Sequence, residues 1–242
     1  MEKVVVSICD IPIEIAFTYP KTRAFFASYL TNQEPILHFC AFQEDVEKER
    51  IHIMNQHKSE DKLANYSDTF FELNVILRQI AETLPSFDAV LFHGSAMAYK
   101  GKAYIFAAPS GTGKTTHSKR WLKVLPDSYI LNGDKPILKI KEDSIYVYGT
   151  PWQGKENRGI NEVKPLKAIA IIERDKNNSI RPLEKTEAFP LLAKQIYWPK
   201  NNKLETIKLL EKIIERADLY LLRCNKEIDS ALISSKAMID SI

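Results

Sequence analysis

The sequence predicts a mixed α/β fold, and three observations carry that prediction. A short apolar run, Ala103–Ala107, enters a Gly-rich turn over Ala108–Gly113, and a helical pattern follows with Trp121, Leu122 and Leu125 on one side. Ala168–Glu173 is a nearly unbroken apolar run, the pattern of a central strand covered on both faces. From Ala89 onward, strand-like and helix-like segments alternate. The chain divides on this reading into a small N-terminal α+β region over 1–85 and an α/β domain, which carries the Gly-rich turn, over 86–242.

In the first region, Val4–Cys9 and Ile13–Phe17 read as strands around an Asp10-Ile11-Pro12 turn. Lys21–Leu30 reads as a short helix. Ile36–Phe42 and Ile51–Met54 read as further strands, with the charged Glu44–Arg50 between them, and His57–Tyr66 as a polar loop. Phe70–Leu84 places Phe71, Val75, Leu77 and Ile80 near helical spacing and reads as a packing helix.

In the second region, Ala89–Tyr99 reads as a strand pair or one bent strand, and a Lys100-Gly101-Lys102 turn leads into Ala103–Ala107. A helix over Thr116–Leu125 stops at Pro126-Asp127. Tyr129–Leu131 is then a returning strand, expected beside the 103–107 strand, and it ends at Asn132-Gly133-Asp134. Ile137–Ile140 and Ile145–Tyr148 form a hairpin across Lys141–Ser144. Gly149–Pro165 is a long polar loop holding Trp152, and loops of that length inside a domain are usually functional or disordered. Asp175–Asn178 turns the chain into Ile180–Leu183. Helices follow over Thr186–Tyr197, with Thr186 as N-cap, and over Leu204–Ala217 and Glu227–Ile239, with a strand at Leu219–Leu222.

Composition narrows the function classes. The chain is 45% hydrophobic and 27% charged, as expected of a globular protein with a real core. With 34 basic and 31 acidic residues the net charge is only +3, and no clustered basic face argues for nucleic acid. Lys200–Lys203 reads as a solvated helix flank. Cys9, Cys40 and Cys224 lie far apart, without a C-x-x-C pair, which argues against a disulfide framework. Cys9 and Cys224 sit in apolar runs and read as buried. Without a signal-peptide layout or a bilayer-length apolar segment, the expectation is a cytoplasmic protein without membrane partners.

The chemistry concentrates at Ser110-Gly111-Thr112-Gly113-Lys114-Thr115-Thr116. A strand, a Gly-rich loop and a helix in this order are the context of a P-loop. Gly111 and Gly113 let the backbone bring its N–H groups against phosphate oxygens, and the helix N-terminus adds partial positive charge. Lys114 would reach the β- and γ-phosphates, and the Thr115 hydroxyl would sit on Mg²⁺. Ala108 stands where the motif usually has its first Gly.

Asp134 follows Lys114 by twenty residues, room for one helix and a returning strand. Mg²⁺ takes few protein oxygens, so Thr115 and one carboxylate suffice. The alternative is a turn aspartate. His93, at the end of an apolar run, reads as a core histidine or as a group that handles a proton or polarises the γ-phosphate. Thr150–Gly159 is either a solvated loop or one that closes over the site, bringing Lys155 or Arg158 to neutralise the transferring phosphoryl group. Glu173 is a second acidic candidate or a solvent-facing strand end.

These residues together resemble the HPr kinase and phosphoenolpyruvate carboxykinase group of P-loop proteins, over roughly Leu91 to the C-terminus. His93-Gly94 resembles the His-Gly of HPr kinases, and Ser110–Thr116 the phosphate loop of the carboxykinases. Ile130–Pro136 is similar to the segment where the group carries an acidic pair. Only Asp134 is acidic here, since Gly133 precedes it and Lys135 follows. Tyr148–Lys155 resembles small HPr-kinase-related proteins reduced to the kinase core, and the chain is too short for a carboxykinase. The resemblance implies phosphate and metal roles for Lys114 and Thr115, and a motif role for His93. The resulting expectation is an ATP- and Mg²⁺-dependent transfer to a hydroxyl on a peptide, protein or small molecule. The alternative is a nucleotide-binding regulatory module without transferase activity, which the single acid favours.

Overall fold

The computed structural model describes residues 1–56 and 66–240. The chain forms two compact units, Met1–Thr83 and Leu84–Ile242. The polar loop expected over His57–Tyr66 lies, except for Tyr66, outside the described residues.

The first unit is a three-stranded sheet with helices. Strands β1 (Glu2–Ile8) and β2 (Ile11–Phe17) form an antiparallel hairpin, and β3 (Leu37–Cys40) runs parallel to β2. The hairpin turn is Cys9-Asp10, one position earlier than expected. Both residues have left-handed φ, 56° and 61°, as the tight two-residue turn demands. Val6, Ile13 and Ile15 alternate into the core and are fully buried.

Helix α1 (Lys21–Phe25) gives way to a 3-10 turn at Ala27–Tyr29, shorter than the single helix expected. Its N-terminus has no side-chain cap of its own. Instead Glu72, buried on α3 (Asp68–Thr83), accepts the Thr18 amide at 2.6 Å and the Thr22 hydroxyl at 2.5 Å.

The strand expected at Ile51–Met54 is instead part of helix α2 (Gln43–Gln56). Its inward residues are Val46, Glu49 and Ile53, at helical spacing. Ile51 and Met54, which suggested a strand, point outward at 51% and 41% exposure. Glu44 and Lys48 pair at i,i+4, 2.6 Å apart.

The second unit is the mixed α/β sheet. The strands are β4 (Ala89–Leu91), β5 (Ser95–Tyr99), β6 (Lys102–Ala107), β7 (Tyr129–Asn132), β8 (Ile137–Lys141), β9 (Ser144–Tyr148), β10 (Val163–Arg174), β11 (Ser179–Pro182) and β12 (Asp218–Cys224). Strand β10 is about twice the expected length. Its beginning pairs antiparallel with β9, and its end lies between β6 and β12, parallel to both. Pairing with β9 therefore takes Val163–Pro165 out of the predicted loop.

One expectation about β7 fails. It does not lie beside β6, because β5 returns through a two-residue turn at Lys100-Gly101 and occupies that edge. β7 pairs with β5 instead.

Both faces of this sheet are covered. One face buries Phe92, Ile105, Ile169 and Ile171 with Leu192 of α5 (Lys185–Ala193) and Leu210 and Ile213 of α6 (Lys203–Arg216). The other buries Met97, Phe106, Ala170 and Leu222 with Trp121 of α4 (Lys114–Val124) and Met238 of α7 (Asp229–Ile239). Two covered faces explain the unbroken apolar runs of β6 and β10. The N-cap of α5 is Glu184 rather than Thr186, and the Glu187 carboxylate accepts the Glu184 amide at 3.3 Å. Cys9 and Cys224 are buried, and among the described residues no two cysteines form a disulfide. Among the described residues no helix is long and apolar enough to cross a membrane.

Candidate functional site

The Gly-rich turn leaves β6 at Ala107 and enters α4 at Lys114, two residues before the expected helix start. Gly111 and Gly113 take left-handed φ of 79° and 130°, where an L side chain is strained. Nothing lies within 4 Å of a Cβ added at either position, so the space beside the turn is open. Ser110, Thr115 and Thr116 are exposed, with Thr112 half-buried.

Lys114 folds back into the turn. It is 8% exposed, and its ammonium donates to the Ala108 carbonyl at 2.7 Å. Burial pushes its pKa down, and the field of the Asp134 carboxylate opposes that shift. From the neighbouring strand end, Arg174 donates to the Thr112 carbonyl at 3.1 Å and to the Gly111 carbonyl. The guanidinium thus ties the turn to the end of β10. Ser118, one turn into α4, lies 2.8 Å from the Ser95 hydroxyl of β5 and 3.1 Å from the Lys114 carbonyl.

His93 and Asp134 meet beside this turn. The His93 Nε2 is 3.4 Å from Asp134 Oδ1, and Lys135 Nζ is 2.9 Å from Oδ2. Burial raises the Asp134 pKa, but the His93 hydrogen bond and the Lys135 charge outweigh it and hold the carboxyl down at about 2. The backbone fixes both partners. His93 N donates to Gln195 O at 2.6 Å, and Gly94 N to Asp134 O at 3.0 Å. Asn132, fully buried, accepts the Asp134 and Lys135 amides on Oδ1 at 3.0 and 2.7 Å. Its Nδ2 donates to Thr150 O at 3.0 Å.

The 149–162 segment therefore rests on this site. A Cβ at Gly133 would come 2.4 Å from the Gln153 carbonyl, and one at Gly154 would come 3.0 Å from Asp134 Cβ. Arg158 does not turn toward Asp134. It pairs with Glu156 at 3.4 Å, and Glu156 reaches Lys119 of α4 at 2.5 Å. Lys155 is exposed. Glu173 pairs with Arg223 at 3.2 Å on the next strand.

Among the candidate residues, the structure brings His93, Asp134 and Lys114 into one neighbourhood. Thr115 sits on the exposed first turn of α4, and among the described residues no group of three or more His, Cys, Asp or Glu is assembled to hold a metal. Sequence reasoning missed Asn132, Lys135 and Arg174. Arg174 was within reach: it ends the strand beside β6, one position past Glu173.

The comparisons with known proteins are these. No curated protein matches the chain. Among solved structures it is similar to the HPr(Ser) kinase/phosphatase from Coxiella burnetii, at 11% identity and a TM-score of 0.30, covering 50% of this chain and 93% of that one. A family model described as SynChlorMet cassette protein ScmC matches residues 59–217, well over half of the sequence. The chain belongs to the ScmC family.

Proposed function

We propose that this chain is an ATP-dependent, kinase-like protein that transfers a γ-phosphoryl group to a hydroxyl acceptor, such as a serine in a peptide or protein. The observation that carries the reading is the open, left-handed Gly111–Gly113 turn at a helix N-terminus, with the Lys114 ammonium inside it and the His93–Asp134 pair beside it. These residues fit a polyphosphate. Main-chain amides at a helix start and a desolvated ammonium favour bound negative charge.

In this reading the 110–116 turn is a phosphate loop, and Lys114 exchanges its bond to Ala108 O for phosphate oxygens. Magnesium would supply charge neutralisation at the β- and γ-oxygens, with Thr115 and Asp134 as the residues to hold it. Asp134 stays ionised at neutral pH, since its pKa lies at about 2. It serves as a fixed charge and hydrogen-bond acceptor, with His93 as the group that takes up or delivers a proton. Positioning and charge neutralisation supply most of the acceleration, because phosphoryl transfer asks little covalent work of the protein.

A second reading, a nucleotide-binding regulatory module without transfer, is favoured by Gly133. The Gln153 carbonyl fills the space where a second acid would begin. Incubation with radiolabelled ATP, Mg²⁺ and serine peptides separates the two. Label transfer that Lys114→Ala abolishes supports the kinase. ATP binding without transfer or hydrolysis supports the module, and full activity in Lys114→Ala removes the phosphate loop from the mechanism.

A further inference from the structure

The three-stranded sheet of the first unit has two edges, and they differ. The outer edge of β1 is closed: Val6 bridges Leu30, and the Thr31 amide donates to Val5 O at 3.0 Å. The outer edge of β3 has no such cover among the described residues, and register fixes which of its groups face outward. Glu14 lies opposite His38 and Ala16 opposite Cys40, and the Ala41 amide donates back to Ala16 O at 3.1 Å. Backbone polar groups alternate sides along a strand, so Leu37, Phe39 and Ala41 face β2, while His38 and Cys40 turn theirs away.

Gln79 of α3 meets this edge at one point, donating from Nε2 to Cys40 O at 2.9 Å. The other end of the same amide, Oε1, is buried and has no hydrogen-bond partner among the described residues. Buried polar atoms are nearly always paired, so the edge holds a half-satisfied group. Exposed edges are normally blunted by proline, lysine, a bulge or a covering segment. Strand β3 reads Leu-His-Phe-Cys and has neither a proline nor a lysine.

The core face also stops short at β3. Val6, Ile13 and Ile15 are fully buried on β1 and β2. Leu37 and Phe39 continue that row, opposite Ile13 and Ile15, yet they are only half-buried. Ile36 and Phe42, at the two ends of β3, are each 59% exposed. A further strand would complete both the ladder and the apolar row.

Charge indicates what kind of strand fits. Residues 1–83 hold 8 basic and 13 acidic side chains, a net charge of −5 in a chain whose total is +3. Glu44 and Asp45 stand in the first turn of α2, just past β3. Burial, and after it the Asp45 charge, push the Cys40 thiol pKa up, so that carboxylate's field reaches the edge. A second copy of this unit would bring like charge to like charge, whereas a cationic segment is attracted.

We propose that the outer edge of β3 is a docking site for an extended, cationic segment of another polypeptide, which joins the sheet as a fourth strand. Its backbone pairs with His38 and Cys40, its inward apolar side chains cover Leu37 and Phe39, and its lysines or arginines meet the acidic start of α2. Gln79 yields Cys40 O to an incoming N–H, which releases its half-paired amide. The site is independent of the phosphate turn, and its test needs no nucleotide.

A library of peptides of about six residues, an ordinary strand length, is panned on the full chain. Its members alternate Val, Ile, Leu or Phe with Lys, Ser or Glu. Enrichment of lysine-bearing members is expected, with hydrogen exchange at the His38 and Cys40 amides slowed about tenfold or more in the complex. Methylating the peptide nitrogens that pair with the edge should weaken binding about tenfold or more. His38→Pro removes an outward N–H, a change that sheet edges tolerate, and should weaken binding likewise. No enrichment, enrichment without lysine, unprotected His38 and Cys40 amides, or unchanged binding of the methylated peptide overturns the proposal. So does self-association that His38→Pro abolishes, because a second copy then holds the edge. The methylated peptides are tested on wild type, so a misfolded His38→Pro does not shield the proposal.

Discussion

Asp134 illustrates how neighbours decide the state of one side chain. Desolvation favours its neutral form, yet His93 and Lys135 hold its pKa at about 2 against an ordinary 3.8. The sign of the linkage follows. A folded pKa below the unfolded one stabilises the protein in full above the ordinary value, and that contribution is lost as pH falls toward 2. Urea unfolding from about pH 5 downward should therefore show a steeper loss of stability in wild type than in Asp134→Asn. Parallel slopes would mean that the pairing does not hold in solution. At this scale the sequence was only partly legible. Lys114, Asp134 and the two glycines stand in a linear motif and could be read there. Asn132 holds its own turn locally through the Asp134 and Lys135 amides, but its bond to Thr150, like the grip of Arg174 on the Gly-rich turn, joins distant segments that no local spacing announces.

At the scale of elements, the 149–162 segment is the part that reading along the chain described least well. Thr150–Gly159 within it was expected either as a solvated loop or as one that closes over the site, bringing Lys155 or Arg158. The segment lies on the end of β7, held by Asn132 and Thr150, with Arg158 paired to Glu156 and Lys155 exposed. That fit requires the absence of a side chain at Gly133. Gly133→Ala should cost about 1–3 kcal/mol in urea unfolding, as overpacking does, with Gly133→Asp at least as harmful. Variants as stable as wild type would show that the segment moves aside readily. The helix misread as a strand at Ile51–Met54 has a related origin. Four residues with alternating burial potential are too short a window, and the surrounding charges were taken as a connection when they were the exposed face of α2.

For the whole molecule, the class of fold was legible because covered sheets need long apolar runs, and these survive as continuous stretches in β6 and β10. Strand order was not. The position of β5 between β6 and β7 depends on a hairpin turn whose partner edge no composition specifies. The division into two compact units also bears on measurement, since two-state unfolding with one melting temperature is a rule for single domains. If the nucleotide reading holds, ATP with Mg²⁺ at a hundredfold its Kd should stabilise the transition of the 84–242 unit by about 2.7 kcal/mol. An unmoved transition at saturating nucleotide would argue that the native state binds none.

Ser234 has a consequence for how the molecule is made. Its hydroxyl receives the Trp121 indole at 2.8 Å and meets His117, so the helix that begins at Lys114 leans on α7, the last helix of the described chain. A ribosome releases the chain from its N-terminus, and Lys114 emerges more than a hundred residues ahead of Ser234. Until that serine leaves the exit tunnel, the indole and imidazole lack the partner they hold in the folded unit, and the start of α4 stays without that support.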